Sequence, residues 1–277
     1  MSDFILTRLH EVILIVYCLS ILLYFIDFLL TNRKANRIAF WLLSFVWILE
    51  TIFVISYIIE IDRFPVLTLT EGIYFYSWFI LTASVVINHF KKMDFGVFFI
   101  NIVGFISIGL IGVDNFQTGT HMDVYQLLSE LLIIHITLAI ISYGFYSLSF
   151  VYSSLYLIQY STLKRKKITK RLWRIPDLNK LDRWSFIYQT IAFPLLLVSL
   201  IMGINRALIE LPEINWFDAK IIGSFIVLIL SAVAFFLRVN NNYPPKKLAM
   251  INIIIFICIL INFFIFSKIS TFHFWTA

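Results

Sequence analysis

Charge is what this sequence has least of. Asp, Glu, Lys and Arg together make up 14% of its 277 residues, where soluble domains carry about 25%, and that excludes a solvated globular domain. Cysteine is scarce as well. Cys18 and Cys258 both sit inside apolar runs, where a small buried hydrophobe is the expected role and a disulfide framework is not. Nine glycines in the whole chain exclude a collagen-like repeat, and long apolar runs exclude disorder. No phosphate-cradling glycine loop, His-Glu-x-x-His, Cys-x-x-Cys or Gly-x-Ser-x-Gly is present, so the chain reads as non-enzymatic. Its longest polar stretch, about 24 residues from Tyr160 to Arg183, is too short to bury a core of its own. Any chemistry therefore lies in a membrane or at its surfaces.

What the chain has in abundance is apolar surface, at 61% of residues. Cutting it wherever charge and turn residues interrupt runs of about 20 residues predicts an all-α polytopic membrane protein. Eight transmembrane helices are expected near 10–30, 38–59, 71–90, 95–112, 127–159, 184–204, 219–238 and 248–267, forming a single integral membrane domain over 1–277. Residues before the first run include Arg8, His10 and Glu11 without a small-residue cleavage site, so that helix is expected to persist. The loops after helices 1, 3, 5 and 7 hold 17 of the 22 basic residues, which places those loops in the cytoplasm and both termini outside. The basic run Lys164–Arg174 then faces anionic lipid headgroups of the bilayer rather than nucleic acid.

Polar residues inside spans need a reason, because each ionisable group costs roughly 2.5–3.5 kcal/mol at a helix centre on insertion scales. Glu50 lies mid-way along helix 2 and reads either as a neutral carboxyl hydrogen-bonded to a neighbouring helix or as a proton-linked group. His135 interrupts the run Leu131–Ile136. It is either a hydrogen-bonded packing residue or, facing a cavity, an imidazole suited to axial ligation of haem iron. On the same helix Tyr143, Ser147 and Ser154 share a stripe expected to glue helix to helix. The outer loop Glu210–Lys220 contains Trp216, Phe217 and Asp218. These read as an interfacial belt with Asp218 capping helix 7, or as an aromatic shelf for a flat apolar ligand whose polar edge meets Asp218 and Lys220. Helix 3 is entered through a Thr-Glu capping signal ending at Glu71.

Three segments together resemble a known family. Thr70–Glu71–Gly72–Ile73–Tyr74–Phe75–Tyr76–Ser77–Trp78, His135 through Ser142–Tyr143, and Leu181–Asp182–Arg183–Trp184–Ser185 through Phe193–Pro194–Leu195 and Gly203 to Trp216–Lys220 are similar to the cytochrome c assembly (CcsA/ResC) family of haem-handling membrane proteins. The likeness spans about residues 60–240. In that family's tryptophan-rich motif a final Trp-Asp-Pro-Lys is flanked by two outward-facing histidines. Here Phe217 stands for the last Trp, Ala219 for the Pro, and Phe236 for the downstream histidine, while His135 matches the upstream one. With the ending Ser270–Trp275, this resembles the compact branch found with haem-biosynthesis genes in Gram-positive bacteria. The resemblance implies a multi-pass plasma-membrane protein that lowers the abundance of glutamyl-tRNA reductase. It also implies haem as cofactor, held by His135 as iron ligand with Trp216, Phe217 and Asp218. The reductase itself, or a protease-adaptor system, would be met by the loop 160–183. Two other readings stand beside it: a cytochrome c assembly factor using His121 or His273 as second ligand, and a proton-coupled transporter using Glu50.

Overall fold

The computed structural model describes residues 2–91, 94–111, 130–166, 175–210, 215–240, 243–266 and 269. Among these, eight α-helices and no strand are found. They are α1 (Ser2–Leu30), α2 (Arg33–Ile61), α3 (Leu69–Lys91), α4 (Asp94–Gly109), α5 (Glu130–Lys164), α6 (Leu178–Glu210), α7 (Ala219–Val239) and α8 (Pro245–Leu260), the last prolonged by a π-helical turn, Ile261–Phe266. Seven are long and apolar enough to cross a membrane. The exception is α4, whose 16 residues reach about 24 Å at 1.5 Å per residue, short of a hydrocarbon core of roughly 30 Å.

Helix ends follow local chemistry. Asn32 Oδ1 accepts from the backbone N–H groups of Lys34 and Ala35 at the start of α2. Asp62 closes that helix in the left-handed region at φ 51°, its N–H donated to Ile58 O. The capping signal before α3 is reciprocal: Glu71 N–H donates to Thr68 Oγ1 at 3.2 Å while Thr68 N–H donates to Glu71 Oε2 at 3.2 Å. Asp218 caps α7 by accepting from Lys220 N–H at 2.9 Å.

The chain divides into two compact units, Met1–Leu128 and Ser129–Ala277. In unit 1, α1 packs on α2 and α4, and α3 packs on the same two helices. Its buried polar groups meet one another. Ser77 Oγ donates to Glu50 Oε1 at 3.1 Å, an α3 to α2 bond of the kind expected for Glu50. Tyr17 OH donates to Asn101 Oδ1 at 2.9 Å, and Asn101 donates to Ser84 at 2.5 Å. His10 is fully buried against Tyr74. Glu71 takes a bidentate ion pair from Arg63, at 2.7 and 2.8 Å, and also accepts from Leu67 N–H and Tyr57 OH.

In unit 2, α5 lies along α6, and α8 packs across α5 and α7. The α5 and α6 pair is held by hydroxyls bonded to backbone. Ser142 Oγ donates to Ala192 O at 2.9 Å, Ser149 Oγ to Ser185 O at 3.0 Å, and Ser199 Oγ to His135 O at 2.8 Å. Of the predicted stripe, Tyr143 meets Phe263 of the π-helical turn edge-on, its ring centroid 6.3 Å away, and Ser147 donates to Tyr143 O on its own helix. Ser142, Tyr146, Ser149 and Ser153 add bonds to neighbouring helices. Pro194 sits inside α6 without ending it.

Candidate functional site

A cavity of about 880 Å³, including its open mouth, lies in unit 2 at the end where α6 leads to α7. Like small-molecule sites, it is mostly apolar with few polar groups. Its walls come from the first half of α5, the second half of α6, the start of α7 and the π-helical turn.

His135 supplies the one imidazole among the described lining residues. Its Nδ1 lies 2.6 Å from Ser199 O and 3.1 Å from Ser199 Oγ. A carbonyl oxygen only accepts, so Nδ1 carries the proton in the neutral ring and Nε2 keeps its lone pair, the tautomer a metal-ligating histidine uses. One turn along α6, Gly203 makes room for the ring. A Cβ there would fall 2.8 Å from His135 Cε1 and 2.9 Å from Nδ1. Ser199 and Gly203 form a small-x-x-x-small pair that lets α5 and α6 approach closely. That spacing is the sequence signal by which both could have been found.

The opposite wall depends on a second close approach. At Gly223 a Cβ would lie 2.6 Å from Phe266 Cδ2, so only glycine lets the π-helical turn settle on α7. Such turns recur at functional sites. This one puts Phe263 in the wall and brings Asn262 Nδ2 within 3.0 Å of Ser224 Oγ, which donates to Lys220 O at 2.8 Å. Tyr143 packs edge-on against Phe263, with ring centroids 6.3 Å apart, and also lines the cavity. Lys220, the second residue of α7, is the cation among the lining residues.

The structure brings together His135, Trp216 and Lys220, and separates two other residues singled out from the sequence. Phe217 is 86% exposed and outside the cavity wall. Asp218 is buried as the cap of α7 and likewise lines nothing. Phe236 is exposed and distant from the wall. No cluster of three His, Cys, Asp or Glu able to hold a bare metal ion exists among the described residues. His121, His273, the segment Ser270–Trp275 and most of the basic run Lys164–Arg174 lie outside the described residues.

Comparison with known proteins bears on the family of the chain. The model of the family described as "Cytochrome C assembly protein" matches residues 66–273. Protein HemX of Bacillus subtilis (strain 168) is 45% identical over 273 residues, covering 99% of each chain. Protein HemX of Brevibacillus brevis is 36% identical over 269 residues, covering 96% of this chain and 97% of the relative.

Proposed function

The chain belongs to the cytochrome C assembly protein family, as a HemX-type multi-pass bacterial membrane protein, and from that premise we propose that it is a non-enzymatic regulator of haem biosynthesis. It binds haem in the cavity of unit 2 and lowers the abundance of glutamyl-tRNA reductase. The observation that carries this reading is His135, its Nδ1 committed to Ser199 O and its ring in the wall of an apolar cavity that also holds Lys220.

The donor set fits haem held by a single histidine. His135 would hold the iron through Nε2, the apolar walls and Trp216 would hold the ring, and Lys220 would pair with a carboxylate. Bound haem supplies an iron centre whose ligation and redox state depend on this surrounding. The chain's own part is positional: Ser199 O orients the imidazole and Gly203 admits it.

Signalling follows the α5 and α6 hairpin. Its hydroxyl bonds at Ser199, Ser142 and Ser149 tie the two helices from the cavity down to the loop 160–183, which contacts the reductase or a protease-adaptor system. Haem shifts that hairpin only as far as it favours one of its arrangements over the other.

The test is the visible spectrum of the purified protein during haem titration, for wild type and His135→Ala, together with reductase levels in cells whose basic loop is truncated. A Soret band saturating near one haem per chain and lost or shifted in the variant is the expected result, with reductase accumulating on truncation. Absence of specific binding in both proteins removes haem sensing, and unchanged reductase levels remove the relay. The family match over 66–273 favours a second reading, haem handling for c-type cytochromes, which predicts their loss when the gene is deleted.

A further inference from the structure

At the opposite end of unit 2 from His135, a second, narrow cleft, about 280 Å³ with its open mouth included, lies where α5, α6, α7 and α8 meet. Two of its residues, Asp182 and Ser185, belong to the segment Leu181–Ser185 that the haem reading leaves without a role. The charges here cancel: Arg238 forms a bidentate ion pair with Asp182 and lies over the Phe186 ring, 5.2 Å from its centroid. The neutral groups do not. Asn252 donates Nδ2 to Ser185 Oγ at 2.8 Å and to Ser153 Oγ at 3.2 Å, yet its buried Oδ1 has no donor. Gln189 is 4% exposed, and its Nε2 has no acceptor. Buried polar atoms in folded proteins are nearly always satisfied, by protein or by ordered water.

One acceptor and one donor stand orphaned in the same cleft, beside charges that already balance. An anion would satisfy the Gln189 amide and oppose the Asn252 oxygen, and a cation would do the reverse. An apolar group would satisfy neither. We infer that this cleft is a hydration site: water enters it from the end where α5 connects to α6, donates to Asn252 Oδ1 and accepts from Gln189 Nε2. Such a site needs a polar setting and two to four partners for each water, and Asn252 Oδ1 and Gln189 Nε2 supply two of them. Asn252 and Gln189 lie seven and eleven residues beyond Pro245 and Leu178. The cleft has room for about one such water. That bound water is separate from the apolar cavity and independent of whether haem occupies it.

Hydroxyl-radical footprinting by X-ray radiolysis of the full chain in lipid nanodiscs tests this, because radicals form where water resides. Tyr156 and Phe186 line the cleft, while Phe236, near Arg238 on α7, is exposed and outside it. The expected result is oxidation of Tyr156 and Phe186 at least about threefold faster than of Phe236, as bound water within reach of the rings requires. Asn252→Leu and, independently, Gln189→Leu should bring that rate down to the Phe236 value. Equal rates in the wild type overturn the inference even if neither variant folds. Fast labelling unaffected by both folded variants overturns the assignment to this amide pair.

Discussion

Units 1 and 2 are made of the same materials, four apolar helices with polar side chains buried between them, and they use those side chains differently. In unit 1 polar groups meet polar side chains: Arg63, Tyr57 and two backbone N–H groups converge on Glu71, and Tyr17 leads through Asn101 to Ser84. Around the unit 2 cavity the hydroxyl of Ser199 and the ring of His135 bond to the facing backbone, as Ser142 does one step along, while side-chain bonds gather farther along the helices at Ser185 and Ser231. The described unit 1 pocket beside Glu71 amounts to about 300 Å³, against about 880 Å³ around His135. A satisfied side-chain network rigidifies and fills the space it occupies. A short hydroxyl bonded to backbone fixes helix spacing while filling little, and a cavity survives beside it. Unit 1 is accordingly built as a scaffold and unit 2 as a container.

The most severe way to break that contrast is at Glu71. Glu71→Ala leaves the Arg63 guanidinium, 12% exposed, and the N–H groups of Leu67 and Thr68 without their acceptor. Removing one partner of such a pair costs on the order of 3–5 kcal/mol, read as a lowered unfolding midpoint in detergent. Haem titration of the surviving folded protein should be unchanged. A cost below about 1 kcal/mol, the value of an exposed pair, would remove the distinction between the units. Next in size is Gly203→Ala. The new methyl lies inside contact distance of the His135 ring, which must leave Ser199 O or tilt within the cavity. Haem affinity should fall about tenfold, equivalent to roughly 1.4 kcal/mol, while overall stability changes less. Unaltered affinity would show that ring position does not govern binding.

Ser199→Ala sharpens the same point at smaller cost. It removes the bond to His135 O and the longer contact to Nδ1, each bond between membrane helices averaging about 0.6 kcal/mol, but retains the carbonyl that orients Nδ1. A modest drop in thermal stability with haem affinity within about threefold is expected, the carbonyl rather than the hydroxyl holding the tautomer. A loss as large as that of His135→Ala would shift the orienting role to the hydroxyl.

These residues also mark what the sequence disclosed. Helices were legible because an apolar run of about 20 residues in lipid has no other way to satisfy its backbone. Their ends were less so. The first helix begins at Ser2 rather than near residue 10, its extra turns carrying the exposed Arg8–Glu11 pair at 2.7 Å, since a helix can continue beyond the apolar run that spans the hydrocarbon. His135 was visible as a lone polar residue in an apolar run. Gly203 entered only as part of the family resemblance and Ser199 not at all, since their role toward His135, 68 and 64 positions away, is supplied by packing.

The smallest expected effect is at the aromatic pair Trp216–Phe217, which adjacency in sequence suggests as one shelf. The turn preceding α7 sends the two side chains apart. Trp216 stays in the cavity wall at 50% exposure, while Phe217 points outward at 86%. A ring so exposed offers a ligand in the cavity no contact, and its own burial stabilises little. Phe217→Ala should therefore leave haem affinity within about twofold, whereas Trp216→Ala, which removes a wall, should weaken it several-fold, as loss of an aromatic lining contact does. Equal losses in the two variants would mean that this turn rearranges to present both rings, and that the container of unit 2 is closed by its own entry loop.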